Sequence, residues 1–597
     1  MNTELIQLYN ERFERFQSRA LANSRALKFL SFFRLITFVS IFPTAYFLFS
    51  VNSFLASGCV LVLIVAFLIL VKKYIEIEKK LEFNQNLVKI NQDEINALNR
   101  NFKNFDTGSE FIDQQHDYSF DLDLYGNGSL FQAINRTVTF KGKKRLSELL
   151  NRTQVKSEEI LQKQSAISEL ADMLDWRQNF LASKNTTEES RNKIDLVLQS
   201  YSPLKRAQLV KYLVAVMPPL TLLLILIKAL GIYPYSIFWL AILAQSIVLG
   251  IYFKTILKFH DQFENQGKLL NQYTSMLTQI ETLPVKNEYL RNLKIKLQHN
   301  DKTASEITAE LSKMLNQFDY TKNFVLAIVL DSIFLWDIRC ISKLNDWQQK
   351  YSNELPKWFE VIAEFDATIS LANFNFNHPN WVTPIISNDT FKLNAINIGH
   401  PLIDETRCVR NTFLMHDSNQ IAIITGANMA GKSTFLRTIG VNLVLASNGC
   451  NVFAESFEFS STRIITNMRT SDNLMNDESY FYAELLRLQT ILTHLKNGEK
   501  LFVIIDEMLK GTNSIDKLNG SKELIKQLIS LKTHGIVATH DLGLTELAHE
   551  HAEINNQCFE VNLNENDLSF SYKLTDGVTK TMNATFLMKK MGIIPKE

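Results

Sequence analysis

Apolar and polar positions do not alternate evenly along this chain; they separate into long blocks. From Leu35 to Val71 no residue is charged. About 20 apolar residues cross a bilayer, so this run predicts a hairpin of two spans turning near Val51-Asn52-Ser53. Its first arm, about Leu35–Ser50, is short and contains Pro43, and its second, about Phe54–Val71, is the stronger. A second hairpin is predicted from about Tyr212 to Phe253, with a turn around Lys228-Ala229-Leu230-Gly231 and Pro234. Its first arm, Tyr212–Ile227, is again short and carries Pro218-Pro219. Buried helices of a soluble core are the competing reading, held open more by the second hairpin than by the first. Basic residues flank both: Arg15, Arg19, Arg25, Lys28 and Arg34 before the first, Lys72-Lys73 after it, Lys205, Arg206 and Lys211 before the second, Lys254 and Lys258 after it. By the positive-inside rule these flanks face the cytoplasm.

Between and beyond the hairpins the period changes. Lys72 to about Phe105 is charged and amphipathic, which predicts one long helix. Residues 106–130 are polar, contain Gly126-Asn127-Gly128 and read as a linker or short capping segment. Residues 131–205 are rich in helix formers. Ile256, Phe259, Phe263, Leu270, Tyr273, Leu277 and Ile280 then recur at three- and four-residue steps, broken only by Gln266 and ending at Pro284. This stripe suits a lever or dimer contact, or more simply a helix packed on its own core. Phe324 to Leu335 is apolar but short, and with Asp331 and Asp337 it reads as a buried soluble helix. From about Ile396 strands and helices alternate, the pattern of an α/β domain.

Chemistry enters with that last pattern. Residues 426–433 read Gly-Ala-Asn-Met-Ala-Gly-Lys-Ser, the G-x-x-x-x-G-K-[ST] phosphate loop, between the apolar run Ile421–Ile424 and a helix-like stretch from Thr434. Backbone N–H groups of such a loop cradle phosphates at a helix N-terminus. Gly426, Asn428, Met429, Gly431, Lys432, Ser433 and Thr434 are therefore the candidate nucleotide-binding residues, with Lys432 reaching the β- and γ-phosphates and Ser433 a ligand for Mg²⁺. A second buried-type run, Leu501–Ile505, ends in Asp506-Glu507. Asp506 is placed to hold the Mg²⁺ shell and Glu507 to polarise an attacking water. A third run, Gly535–Thr539, ends at His540, which is placed to sense the γ-phosphate.

At 597 residues the chain is long enough for several domains. Its net charge of +1 shows no basic bias of the kind that advertises nucleic acid, although a local basic groove remains open. The five cysteines form no C-x-x-C pair and read as reduced thiols rather than a disulfide frame or zinc site.

The wording around these motifs resembles the MutS family of mismatch-repair ATPases. The resemblance runs through Gly426–Arg437 and Gly449–Ala454. Upstream it takes in Gly399–Leu402 and Val409–Asn411, downstream Ser471–Leu474, Glu478–Glu484, Asp506-Glu507 with Gly511–Ser514, Ala538–His540 and the ending Tyr572–Pro595. Leu130–Thr139 and Gly142–Leu146 resemble the start of that family's helical core. It implies an α/β P-loop ABC-type ATPase domain over 385–597, joined to an all-α core. The core over 128–384 would carry the second hairpin (about 212–253) and a lever-like helix. Residues 1–127 would carry the first hairpin (about 35–71) and its connecting helix. It further implies a homodimer in which Ser479 of one subunit contacts nucleotide on the other, with ATP and Mg²⁺ as ligands and duplex or branched DNA as cargo.

Two departures limit what carries over. Residues 1–127 hold no Phe-x-Glu mismatch-reading motif, and Asn476-Asp477 stand where the family has basic or small residues. ATP handling carries over; mismatch recognition does not. Lys141, Lys143, Lys144 and Arg145 form a candidate phosphate-contact patch, or simply a solvated helix start, which is the reading favoured here. The expected activity is Mg²⁺-dependent ATP hydrolysis in a dimeric clamp acting in DNA repair or recombination at the plasma or inner membrane. The protein would be multi-pass, with its ATPase domain in the cytoplasm and the lipid bilayer as a partner. The rival is a membrane-tethered switch working on a protein partner. An ABC transporter is disfavoured because there is no Leu-Ser-Gly-Gly-Gln signature and four short spans are few for a solute path.

Overall fold

The structure is a computed structural model; the residues described are 2–184, 207–229, 235–263, 266–388, 390–418, 420–469, 480–510, 512–564, 567–580 and 593. The chain forms two compact units. The first comprises Met1–Ile95, Val138–Gly142 and Asp175–Phe365, the second Asn96–Thr137, Lys143–Leu174 and Asp366–Glu597. Segments 128–137, 143–174 and 366–384, which the sequence assigned to the helical core, thus cluster with the C-terminal region.

The first unit is almost wholly helical. Helices α1 (Asn2–Phe49) and α2 (Ser53–Leu98) are far longer than a membrane span needs. Each is two things in sequence. Near the start of α1, Tyr9, Arg12 and Phe16 are buried at helical spacing, and so are Leu87, Asn91 and Glu94 near the end of α2. The arms between them expose Phe42, Phe47, Leu61 and Leu68. The buried ends are tied by a polar knot. Arg12 donates to Gln178 Oε1 through Nε (3.0 Å) and Nη2 (2.8 Å) and reaches Asp175 at 2.7 Å, while Gln178 and Asn91 exchange amide hydrogen bonds.

The second hairpin comprises α3 (Ala207–Ala229) and α4 (Tyr235–Phe263), and α1 to α4 are each long and apolar enough to cross a membrane. The turn predicted at 228–234 lies largely outside the described residues. The heptad-like stripe belongs to an internal core: Ile256, Phe259 and Phe263 on α4, then Leu270, Tyr273, Leu277 and Ile280 on α5 (Gln266–Thr282), are all buried, and α5 packs along α6 (Ala304–Phe318). A two-residue-strand hairpin, β1 (Gln298–His299) with β2 (Lys302–Thr303), precedes α6.

Helix α7 (Phe324–Phe334) corrects an expectation. The sequence predicts burial, yet Val325 is 69% exposed, Leu326 48%, Ile328 52% and Val329 47%. The two acids that argued for a soluble helix are accounted for locally. Asp331 accepts the backbone N–H of Asp337 at 2.9 Å, and Asp337, at the start of α8 (Trp336–Tyr351), is held by Thr321 Oγ1 (2.7 Å) and His260 (3.1 Å).

The second unit carries two sheets. The smaller has the order β3-β7-β4-β5, from β3 (Ile385–Ile386), β4 (Lys392–Ile398), β5 (Asn411–His416) and β7 (Ser456–Phe459). The larger has the order β12-β11-β6-β10-β9-β8, from β6 (Ile421–Gly426), β8 (Arg463–Asn467), β9 (Leu501–Asp506), β10 (His534–Thr539), β11 (Ile554–Asn564) and β12 (Asp567–Asp576). All its neighbours are parallel except β12 against β11. The nearly continuous apolar runs in β6, β9 and β10 follow from that, because a parallel sheet covered on both faces buries every position. The α/β class expected from the sequence is found here, in mixed sheets.

Residues 106–130 are not the linker their polarity suggests. Tyr118, Leu122, Leu124 and Tyr125 are buried. Asp121 accepts Thr466 Oγ1 (2.6 Å) and the backbone N–H groups of Met468 (3.0 Å) and Arg469 (2.9 Å), and its carbonyl accepts Arg437 Nε at 3.0 Å. Polar residues predominate because they serve as hydrogen-bond partners to another segment rather than to water. Of the basic patch, Lys143 is buried and bridges Asp106 (2.5 Å) and Glu110, so its charge is already spent.

His534, in β10, stacks on Phe391 with ring centroids 3.8 Å apart. Burial pushes it down to about 4, opposed by Asp417. It is therefore neutral in the folded chain at pH 5, while in the unfolded chain it takes up a proton below about 6.5. The unfolded state binds more protons between these values, so this contribution to stability is full above pH 6.5 and is lost as pH falls toward 4. Lowering pH from 7 to 5 should cost the wild type on the order of 1–2 kcal/mol more than His534→Phe, read as urea midpoints. Parallel pH slopes for the two proteins would refute it.

Candidate functional site

The strand register assembles the site. Thr539 of β10 pairs with Thr425 of β6, and Ala538 pairs with Asp506 of β9. Gly426, His540 and Glu507 therefore leave three adjacent strands at the carboxyl edge of the sheet. This is where open α/β sheets bind ligands, at the point where strand order reverses about the central strand. Helix α9 (Lys432–Ser447) starts directly after the loop, so its N-terminal N–H groups face the same edge. The loop needs its glycines: Gly431 has φ 110°, and a Cβ at Gly426 would stand 2.9 Å from the carbonyl oxygen of Phe559.

The residues singled out in the sequence meet here. Lys432 Nζ donates to the carbonyls of Gly426 (2.6 Å) and Ala427 (3.0 Å) and lies 3.3 Å from the His540 ring. Burial pulls its pKa down to about 8, against the pull of Asp506 and Glu507. The Ser433 hydroxyl donates to Asp506 Oδ2. Burial, followed by Lys432, lowers the pKa of His540. Asn428, Met429 and Thr434 line the same cavity, of about 570 Å³, within the size range of ligand pockets. Its apolar wall includes Ile403, Val409, Phe435, Phe559 and Tyr572. Ser479, with Ser471–Glu478, Gly511 and Met591-Gly592, lies outside the described residues.

Glu507 sits in a strained loop. Its φ is 63° and that of Leu509 is 56°, a region disfavoured for side chains with a Cβ. Burial raises the Glu507 carboxyl, but Lys517 Nζ at 2.6 Å outweighs it and leaves the group below its ordinary range. Lys517 is near the start of α11 (Ser514–Ser530), which follows α10 (Tyr480–Lys496) and β9. The other restraint is Glu484 of α10, whose buried carboxylate accepts the backbone N–H of Leu509 (2.5 Å) and of Lys510 (3.1 Å).

Neither Lys517 nor Glu484 was assigned a role from sequence. A lysine in a first helical turn, opposed by the helix dipole, was the available signal for Lys517. Glu484 offered none beyond its place in the resemblance.

Two oxygens, from Ser433 and Asp506, are in contact, and among the described residues no larger group of His, Cys, Asp or Glu could cage a metal by itself. That donor set fits Mg²⁺, which keeps water and phosphate oxygens in its shell, and does not fit a closed protein cage.

A family profile described as MutS domain V matches residues 422–597. The DNA mismatch repair protein MutS of Thermotoga maritima is 29% identical over 248 residues, covering 41% of this chain and 31% of that protein. The DNA mismatch repair protein MSH4 of Arabidopsis thaliana is 27% identical over 268 residues, covering 43% and 33%. The MutS protein homolog 4 of Homo sapiens is 28% identical over 314 residues, covering 50% and 33%. The match thus spans about a third of the length of these curated relatives. The profile takes in the phosphate loop, the Asp506 strand and His540, and over that region the chain is similar to the MutS family.

Proposed function

We propose that this chain is a membrane-anchored, Mg²⁺-dependent ATPase of the P-loop ABC type that dimerises on ATP and acts on duplex or branched DNA in repair or recombination. One observation carries the reading: Lys432, Ser433, Asp506, Glu507 and His540 come together around one cavity at the ends of adjacent parallel strands. Lys432 exchanges loop carbonyls for phosphate oxygens and holds the β- and γ-phosphates in place. Ser433 and Asp506 would hold Mg²⁺, which would supply positive charge to offset that of the phosphates. Glu507 takes a proton from the attacking water, with its direction set by Lys517. His540, kept neutral by burial, hydrogen-bonds at the γ-phosphate. Ser479 of the second subunit completes the site, so ATP clamps two copies together and hydrolysis releases them. The four long apolar helices support a multi-pass protein in the plasma or inner membrane, with the basic flanks and the ATPase domain on the cytoplasmic side.

A second reading, a switch acting on a protein partner, is favoured by the neutral overall charge and by Lys143, whose charge is taken up by Asp106 and Glu110.

Glu507→Gln should still bind ATP but hydrolyse it at least roughly tenfold more slowly; unchanged turnover in a steady-state assay removes Glu507 from this role. Lys517→Met should lower kcat roughly threefold or more at unchanged KM, with Lys517→Arg restoring it. A rise in KM alone would show that Lys517 serves nucleotide binding instead.

The deciding experiment measures ATP turnover and ATP-dependent binding with homoduplex, mismatched and branched DNA at two salt concentrations. The DNA reading expects stimulation and binding that weakens steeply with salt. An active basal ATPase indifferent to every DNA would leave the protein-partner reading.

A further inference from the structure

Helix α7 presents a surface that water does not suit. It is 11 residues long, about 16 Å at 1.5 Å per residue, or half the thickness of a hydrocarbon layer. Val325, Leu326, Ile328 and Val329 are all exposed. The helix packs against α3 and α4, whose outer faces expose Leu220, Leu223, Leu240, Leu243 and Ile247. The apolar surface of α7 is thus an extension of the hairpin's.

The polar groups around α7 give independent support. A helix that ends inside hydrocarbon must have its terminal N–H and C=O groups met by protein, because no water is there to meet them. At the N-terminus, Asn323 Oδ1 accepts the N–H groups of Val325 (3.1 Å) and Leu326 (3.2 Å). Near the C-terminus, the carbonyl of Ile333 accepts Gln245 Nε2 at 3.4 Å. Gln245 is fully buried in the middle of the apolar α4 and also donates to Thr221 Oγ1 of α3 at 2.5 Å. An amide at that depth in a span is costly unless it is used; its Nε2 joins all three helices, while its Oε1 is without a partner among the described residues. The carboxylate of Asp331 is likewise taken by the Asp337 N–H.

We propose that α7 lies within the hydrocarbon layer of a phospholipid bilayer beside the α3–α4 hairpin, as a re-entrant third element whose exposed face is covered by acyl chains. The proposal rests on the membrane reading above and goes beyond it, since four spanning helices would not by themselves place α7 in lipid.

The test uses the full chain with its five cysteines replaced, in phosphatidylcholine–phosphatidylglycerol vesicles. Nitroxide labels are placed singly through I328C and V329C on α7, L243C on α4 and K313C on α6, and retained ATP turnover shows that each variant is folded. The expected result is loss of access to an aqueous nickel chelate and gain of access to oxygen at 328 and 329, matching 243 and opposite to 313. Nickel access at 328 and 329 equal to that at 313, with 243 still protected, would overturn the proposal while leaving the hairpin in the membrane. Nickel access at 243 as well would overturn the membrane reading and the proposal together.

Discussion

The parallel register of β6, β10 and β9 is the constraint on which the site depends. In a strand, side chains alternate faces, so a slip of one residue would reverse every inward and outward position. Gly535 helps to fix the alignment at the start of β10. A Cβ there would come 2.5 Å from the carbonyl oxygen of Val503, so β10 can lie this close to β9 only with glycine. With the strands fixed in this way, a hydroxyl from one connection and a carboxylate from another meet without any contact between them in sequence. The flanking apolar cluster, including Ile423, Ile465, Leu488, Val503, Ile525 and Val537, holds the sheet against its helices.

The site was legible because its parts are local. A glycine-rich loop after an apolar run, and acids at the end of another, are each contained in a few consecutive residues. What joins them was not legible. Glu484 restrains the loop after β9 from 25 positions upstream, and its only sequence signature is an acid on a helix. Asp121 reaches the residues after β8 from more than 340 positions away. Hydrogen bonds to a charged group contribute about 1.5–3 kcal/mol each, so such long-range contacts weigh as much as core side chains. Composition hides them, since a carboxylate facing backbone N–H groups and one facing water are written with the same letter.

The helical unit was legible to a different extent. Charge-free length marked the first hairpin, two apolar runs about Lys228 the second, and periodicity α4 and α5. Helix α7 is exposed where its sequence predicts burial, because the two acids in and beside it that speak for a soluble helix have local partners. Their hydrogen bonds to the Asp337 N–H, Thr321 and His260 were invisible in the sequence. The same applies to Gln245, which looks like a flaw in an apolar run until its partners on α3 and α7 are seen.

The continuity of α1 has a mechanical meaning. Its 48 residues make a rod of about 70 Å with one proline, Pro43, near its far end. Between the knot at Arg12 and the first exposed aromatic residues there is no loop to absorb a displacement. Whatever rotates the Arg12 end must reappear as tilt in the apolar end. The helix thus ties the packing around Arg12 to the setting of its apolar arm as one rigid element.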